Sequence, residues 1–166
     1  KLKTANKMDY EVEVAMVIGK EGKNISEEKA QDHIFGYCVV NDVSERAWQK
    51  ERGGQWIKGK SIAGPCGPYL VTKDEIKSVY NLNLSLDVNG ERRQTGNTER
   101  MIFSFDFLIS HISQFMTLYP GTIITTGTPA GTAMEMDTPK FLKIGDKLNL
   151  KVDQLGEQNH FVKDEN

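Results

Sequence analysis

From Tyr10 to Ile18 the side chains alternate with a period of two. Tyr10, Val12, Val14, Met16 and Ile18 fall on one face, and Glu11, Glu13, Ala15 and Val17 on the other. An alternation that long specifies a β-strand, because successive side chains of an extended chain point to opposite sides. Whatever this chain folds into must therefore provide a sheet with an apolar layer against the even-numbered face.

The rest of the sequence supplies partners for that strand. Gly19-Lys20-Glu21-Gly22-Lys23-Asn24 reads as a turn, and Ser26 followed by Glu27 and Glu28 as a helix start. The short helix carries Ala30 and Ile34 and runs into Gly36. Tyr37-Cys38-Val39-Val40 is a buried strand ending at Asn41-Asp42. The polar segment from Val43 to Gly54 predicts a helix around Glu45 to Gln49, and the Gly- and Pro-rich stretch from Gly59 to Pro68 predicts irregular backbone. Leu84, Leu86 and Val88 alternate into Asn89-Gly90, a strong hairpin signal, with a return strand from Arg92. Phe105, Leu108, Ile109, Ile112, Phe115 and Met116 repeat at helical spacing, so residues 105–117 predict an amphipathic helix, with Ser104 as N-cap and Pro120-Gly121 as its stop. Thr122 to Thr126 is another strand, and Leu148, Leu150 and Val152 belong to a last hairpin. Strands outnumber helices and short turns join them, which favours a β-rich α+β domain over a doubly wound parallel sheet.

Composition narrows the functional classes. A chain of 166 residues is one domain's worth, and 38% hydrophobic with 27% charged residues excludes wholesale disorder and fibrous repeats. With 21 Lys+Arg against 23 Asp+Glu there is no basic excess, which argues against a nucleic-acid partner. The longest apolar run, Val14 to Ile18, is far short of the ~20 residues of a membrane helix. Cys38 and Cys66 are distant in sequence and form no Cys-x-x-Cys pair, against a zinc finger or a disulfide framework. No secretory signal is visible, so the expectation is a reduced, cytoplasmic enzyme.

Candidate chemistry begins with Glu11 and Glu13. On one strand face they lie ~6.6–6.8 Å apart, within reach of a shared ion. The alternative is an exposed acidic face. Asp42 ends a buried strand, where an ionised carboxylate needs a partner or a metal, unless it is only a turn cap. Three carboxylates without a nearby Cys or His suit Mg²⁺, Mn²⁺ or Ca²⁺ better than zinc. Lys60 stands among Gly and Pro, with few neighbours to solvate it, although a surface lysine is the simpler reading. Thr125 to Thr132 gathers hydroxyls and backbone N–H groups into a tight turn that can form an anion nest, or only a loop. His33, His111 and His160 have no partner spacing and read as structural.

Gly54-Gln55-Trp56-Ile57-Lys58-Gly59-Lys60-Ser61 matches the spacing of a phosphate-binding P-loop. That mechanism needs an apolar strand before the loop and a helix after it. Ala47 to Arg52 is polar, and Ala63-Gly64-Pro65-Cys66-Gly67-Pro68 cannot be helical. The match is coincidental.

Taken in order, these pieces resemble the fumarylacetoacetate hydrolase family. The resemblance rests on Tyr10-Glu11-Val12-Glu13, Val17-Ile18-Gly19-Lys20, Gly36-Tyr37, and Asn41-Asp42-Val43-Ser44 with Arg46 and Gln49. It continues through Trp56, Gly59-Lys60-Ser61, Gly67-Pro68, Val88-Asn89-Gly90-Glu91, Gln94, Gly96-Asn97-Thr98 and Met101-Ile102-Phe103. Thr126-Gly127-Thr128-Pro129-Ala130-Gly131 and Leu142-Lys143-Ile144-Gly145-Asp146 close it, so the match spans nearly the whole chain.

The resemblance implies a β-rich α+β fold with a rolled mixed sheet, one catalytic domain over residues 1–166, and a homodimer. It implies action on 2-oxo acids, commonly 2,4-dioxo acids, by C–C hydrolysis, isomerisation or decarboxylation. Mg²⁺ or a similar ion would be held by Glu11, Glu13 and Asp42. Lys60 would steady the developing enolate, with Gln49 beside it in the catalytic set. Arg46, Gly127 and Thr128 would bind substrate, with Thr128 taking a carboxylate. A hydrolase of an acylpyruvate-like acid is the first expectation, and an isomerase or decarboxylase, or a catalytically silent metal-binding member, the alternatives. Two features depart from the family pattern. A segment with a His and a Glu is expected upstream of the glutamate strand, before Lys1. The stretch Ser61-Ile62-Ala63-Gly64-Pro65-Cys66 is shorter than usual and has no Asp.

Overall fold

The computed structural model describes residues 5–51 and 64–164. The strand that dominates the sequence is β2 (Val12–Ile18), preceded by the two-residue β1 (Met8–Asp9). Helix α1 (Glu27–His33) leads directly into β3 (Ile34–Asn41), and β4 (Ser44–Glu45) pairs back onto β1. Then come β5 (Cys66–Thr72), the hairpin β6 (Asn83–Val88) and β7 (Glu91–Asn97), helix α2 (Phe105–Phe115), β8 (Ile123–Thr125) and the hairpin β9 (Lys147–Val152) and β10 (Gly156–Phe161). The strands form two four-stranded sheets, ordered β5-β3-β2-β8 and β10-β9-β6-β7, and every pairing among the described residues is antiparallel. The β-rich α+β class read from the sequence is the one observed.

The core lies where the period-two patterns meet. Val12, Val14, Met16 and Ile18 pack in one cluster with Leu84, Leu86, Val88, Leu148, Leu150 and Val152, joined by Phe105 and Ile109 of α2. The hairpin turn uses Asn89 and Gly90 at φ 53° and 80°, the left-handed pair that a two-residue turn requires. Ser104 caps α2 by accepting the Phe107 N–H at 3.0 Å.

Three local expectations are corrected. Ile34 opens β3 rather than continuing α1, because the helix stops at His33. Glu45 to Gln49 is not an ordinary helix: Ser44 and Glu45 are strand, and Ala47–Glu51 forms a π-helical turn. The fully buried Glu45 explains the change, since its carboxylate accepts the N–H groups of Asn6, Lys7 and Trp48 and binds this segment to the chain start. Cys66 to Pro68 belong to β5 instead of an irregular stretch. Along α2 the buried residues are Phe105, Ile109 and Ser113, while Phe115 remains exposed.

The odd-numbered face of β2 is buried too. Ala15 and Val17 form a second small apolar cluster with Cys38 and Val40 of β3. Glu13 is opposite Val40 on that face, so the acidic pair stands at the end of an apolar strip.

Candidate metal centre

Glu11 immediately precedes β2, Glu13 lies within it, and Asp42 immediately follows β3, the neighbouring strand. The antiparallel register places Val12 opposite Asn41, and the Asp42 N–H donates to the Glu11 carbonyl at 2.9 Å. This brings one carboxylate oxygen from each of Glu11, Glu13 and Asp42 within 4.8 Å of one another. Glu11 and Glu13 are buried and Asp42 is partly exposed. Three carboxylates that close repel one another, and burial removes the water that would screen them. An all-oxygen donor set of this kind fits a hard divalent cation.

The surroundings fix the orientation of these groups. Arg46 is buried and uses three nitrogens: Nε donates to Asp9 Oδ2 at 2.9 Å, Nη2 to Glu11 Oε1 at 2.6 Å, and Nη1 to Gln49 Oε1 at 2.9 Å. Burial pulls the guanidinium pKa down, but Asp9 and Glu11 more than reverse this and hold it above its ordinary value. Asp9, fully buried, also accepts the N–H groups of Tyr10, Ala133 and Met134. Glu13 Oε2 accepts the Gly127 N–H at 2.8 Å, where the loop after β8 has φ 89°. Asn41 Oδ1 accepts the Glu11 N–H at 3.1 Å, and Asn41 Nδ2 contacts His160 Nδ1 at 3.1 Å.

Thr128 sits beside this cluster with its hydroxyl already engaged. It donates to Val12 O at 3.0 Å and accepts from Gln94 Nε2 at 2.8 Å. Gln94, itself fully buried, completes the link by accepting the Val12 N–H and donating to Pro129 O. The loop over 126–129 is thereby fastened to the strand that carries Glu13.

Of the residues singled out in the sequence, Glu11, Glu13, Asp42, Arg46, Gln49, Gly127 and Thr128 are gathered around one region. Lys60, together with the Gly54–Ser61 P-loop pattern, lies outside the described residues. Arg46 and Gly127, expected at the substrate, each make a hydrogen bond to a carboxylate of the cluster. Buried Gln49 has one loose end, because its Nε2 has no hydrogen-bond partner among the described residues. Sequence reasoning missed Asp9, Asn41, Gln94 and His160 as members of this network. For Asp9 a signal existed: it continues the odd-numbered register of Glu11 and Glu13.

A family model described as fumarylacetoacetate (FAA) hydrolase C-terminal matches residues 2–163. A "putative hydrolase" of Burkholderia cenocepacia is 52% identical over 155 residues, which are 92% of this chain and 55% of that protein. This chain therefore spans about half the length of such curated relatives. The solved 2-hydroxyhepta-2,4-diene-1,7-dioate isomerase of Mycobacterium marinum is 35% identical, with a TM-score of 0.87 over 98% of this chain and 61% of that one. Fumarylpyruvate hydrolase of Pseudomonas aeruginosa, solved with Mn²⁺ and pyruvate, is 31% identical, with a TM-score of 0.88 over 98% of this chain and 69% of that one.

Proposed function

This chain belongs to the fumarylacetoacetate hydrolase family, and on that premise we propose that it is a metal-dependent enzyme hydrolysing a carbon–carbon bond of a 2,4-dioxo acid of the acylpyruvate or fumarylpyruvate type. The observation that carries this reading is the cluster of Glu11, Glu13 and Asp42 within 4.8 Å. Those three side chains would hold Mg²⁺, or Mn²⁺ in its place. The cation would supply Lewis-acid stabilisation of negative charge on the oxygens of a 2-oxo acid.

The protein's own groups have separate tasks. Arg46, itself bonded to Asp9, orients Glu11 through one hydrogen bond, and the Gly127 N–H does the same for Glu13. Gln49 Nε2 is a buried donor that a substrate oxygen would satisfy. Arg46 Nη1 and Nη2 each carry two N–H groups, so a contact with substrate remains open to it. Thr128 would take a substrate carboxylate through its backbone N–H, because its hydroxyl proton is engaged by Val12 O. Lys60 would offer positive charge to electrons expelled from the breaking bond, a contribution that grows in the transition state.

The same machinery serves isomerisation if the displaced electrons are protonated at another carbon instead of the bond being cut by water. Likeness to the Mycobacterium marinum isomerase favours that as the second reading. The reading includes a homodimer, for which the exposed Ile102, Phe103 and Tyr119 would offer apolar surface. Among the described residues no helix is long and apolar enough to cross a membrane.

The test has two parts. Calorimetric titration with Mn²⁺ should give one site per chain, lost in Asp42→Ala. Incubation of the full-length, Mn²⁺-loaded protein with an acylpyruvate should yield pyruvate and a carboxylic acid. Mn²⁺ binding undiminished in Asp42→Ala would remove the metal assignment, and an isomer as sole product would replace hydrolysis by the second reading.

A further inference from the structure

Cys38 and Cys66 are 28 positions apart in sequence, yet their sulfur atoms lie 2.8 Å apart. Sheet register is the cause. β3 and β5 run antiparallel with Val40 opposite Cys66, and Cys38 is two residues from Val40 on the same face. The cysteines are therefore diagonal neighbours across two adjacent strands, and both are free thiols. Their environments differ: Cys38 is buried against Ala15, Val17 and Val40, whereas Cys66 is exposed.

This face also carries the metal cluster. Glu13 is opposite Val40 and Val40 opposite Cys66, so one cross-strand row joins a candidate ligand to the exposed thiol. Two strand spacings separate the ends of that row, about 9.5 Å. Asp42, Arg46 and Gln49 all lie in the segment of chain between the two cysteines.

We propose that Cys38 and Cys66 form a reversible oxidation site, which a peroxide converts to an intrachain disulfide bridging β3 and β5. Exposed Cys66 reacts first. Its thiolate attacks one peroxide oxygen, the O–O bond breaks, and the departing oxygen leaves as water after taking a proton, which leaves a sulfenic acid on Cys66. The Cys38 sulfur then attacks the Cys66 sulfur, the S–O bond breaks, and a second water leaves with the Cys38 proton. In sum two thiols and one peroxide become one disulfide and two waters, with two electrons passing from sulfur to oxygen. The order of attack follows from exposure. It is reinforced by the burial and the neighbouring Cys66 that push the Cys38 thiol up to about 12, keeping it protonated until a sulfenic acid forms beside it.

The inference does not depend on the proposed reaction and is tested without turnover. The full-length protein is treated with hydrogen peroxide at low molar excess, its thiols are titrated, and unreduced peptides are mapped by mass spectrometry. The expected result is joint loss of the Cys38 and Cys66 thiols, a Cys38–Cys66 linked peptide within one chain, and recovery of both thiols with dithiothreitol. Cys66→Ser, a change at an exposed position, should leave Cys38 unmodified under the same treatment. Cys38→Ala should carry Cys66 on to sulfinic acid or to a disulfide between chains. Wild-type protein in which Cys66 is overoxidised or linked between chains while Cys38 stays free would overturn the proposal. So would rapid oxidation of Cys38 in Cys66→Ser.

Discussion

Arg46 Nη2 donates to Glu11 Oε1 at 2.6 Å with both side chains buried, while the Nε of the same guanidinium holds Asp9 at 2.9 Å. One cation thus serves a carboxylate of the Glu11–Glu13–Asp42 cluster and a carboxylate outside it. The arrangement is directional, since a planar guanidinium can face Asp9, Glu11 and Gln49 at once and an ammonium cannot.

Arg46→Met should therefore be costly. It breaks two buried ion pairs, to Asp9 and to Glu11, a loss on the order of 3–5 kcal/mol. Arg46→Lys keeps the charge and should cost less, yet still weaken Mn²⁺ binding because an ammonium cannot hold Glu11 and Asp9 in the geometry of the planar guanidinium. Urea unfolding of the metal-free proteins and Mn²⁺ calorimetry check both points. Wild-type stability in Arg46→Met would show that the pair contributes nothing net.

Strands β2 and β6 were legible because each is announced by its own residues, whereas β5 was not, since Gly67 and Pro68 at its start read as irregular backbone. Tyr10 to Ile18 and Leu84 to Val88 alternate, and Asn89-Gly90 names its turn. The segment after Asp42 was not legible, because its conformation is set by distant groups. Glu45 is anchored by the N–H groups of Asn6 and Lys7, and no local pattern reports a contact of that sequence separation. Glu11 and Glu13 could be paired from strand periodicity alone, whereas Asp42 joins them only through the β2–β3 register. Arg46 and Gly127 also meet carboxylates of the cluster, contacts the sequence did not disclose for a related reason. A motif names which residues lie near the site, but not which atoms their donors meet. The proximity of Cys38 and Cys66 was invisible for the same cause as Asp42: it is a property of strand pairing.

A second prediction concerns Gln94, which bonds Val12 N, Thr128 Oγ1 and Pro129 O through one buried carboxamide. Gln94→Leu keeps similar volume and removes every one of these bonds. Each buried group left unpaired costs about 1–3 kcal/mol. Because the same loop delivers the Gly127 N–H to Glu13, Mn²⁺ affinity should fall along with the unfolding midpoint. A variant that is destabilised but binds Mn²⁺ as tightly as wild type would separate this loop from the metal centre.

The third concerns pH. Burial holds the His160 pKa below its ordinary value of 6.5. Asn41 Oδ1 is committed to the Glu11 N–H, so Asn41 turns its Nδ2 donor toward His160 Nδ1, which must accept and be neutral. The unfolded chain then binds more protons than the native one at mildly acid pH. The stability this group confers is fully present above about 6.5 and is lost as pH falls through the depressed native value. His160→Gln, which cannot titrate, should flatten the fall in urea-unfolding free energy between about pH 7 and about pH 5. Parallel pH profiles for the two proteins would refute the assignment.

The last prediction separates charge stabilisation from binding. Lys60, by the family resemblance, would act on negative charge that develops as the C–C bond breaks. Such a contact raises kcat and contributes little to ground-state affinity. In the full-length, Mn²⁺-loaded protein, Lys60→Ala should lower kcat on an acylpyruvate by about 10²-fold or more, the scale of losing an oxyanion donor, with KM nearly unchanged. Thr128→Ser retains a hydroxyl for Val12 O and Gln94 Nε2 and should behave as wild type. Thr128→Ala removes those bonds. It should lower stability and, by releasing the loop whose backbone would hold the substrate carboxylate, raise KM more than it lowers kcat. Mn²⁺ affinity is the control for Lys60→Ala, because an ammonium is not a ligand to a cation. A Lys60→Ala protein that binds Mn²⁺ normally and turns over at the wild-type rate would remove Lys60 from the mechanism. The carboxylate cluster and its Arg46 support would stand unaffected.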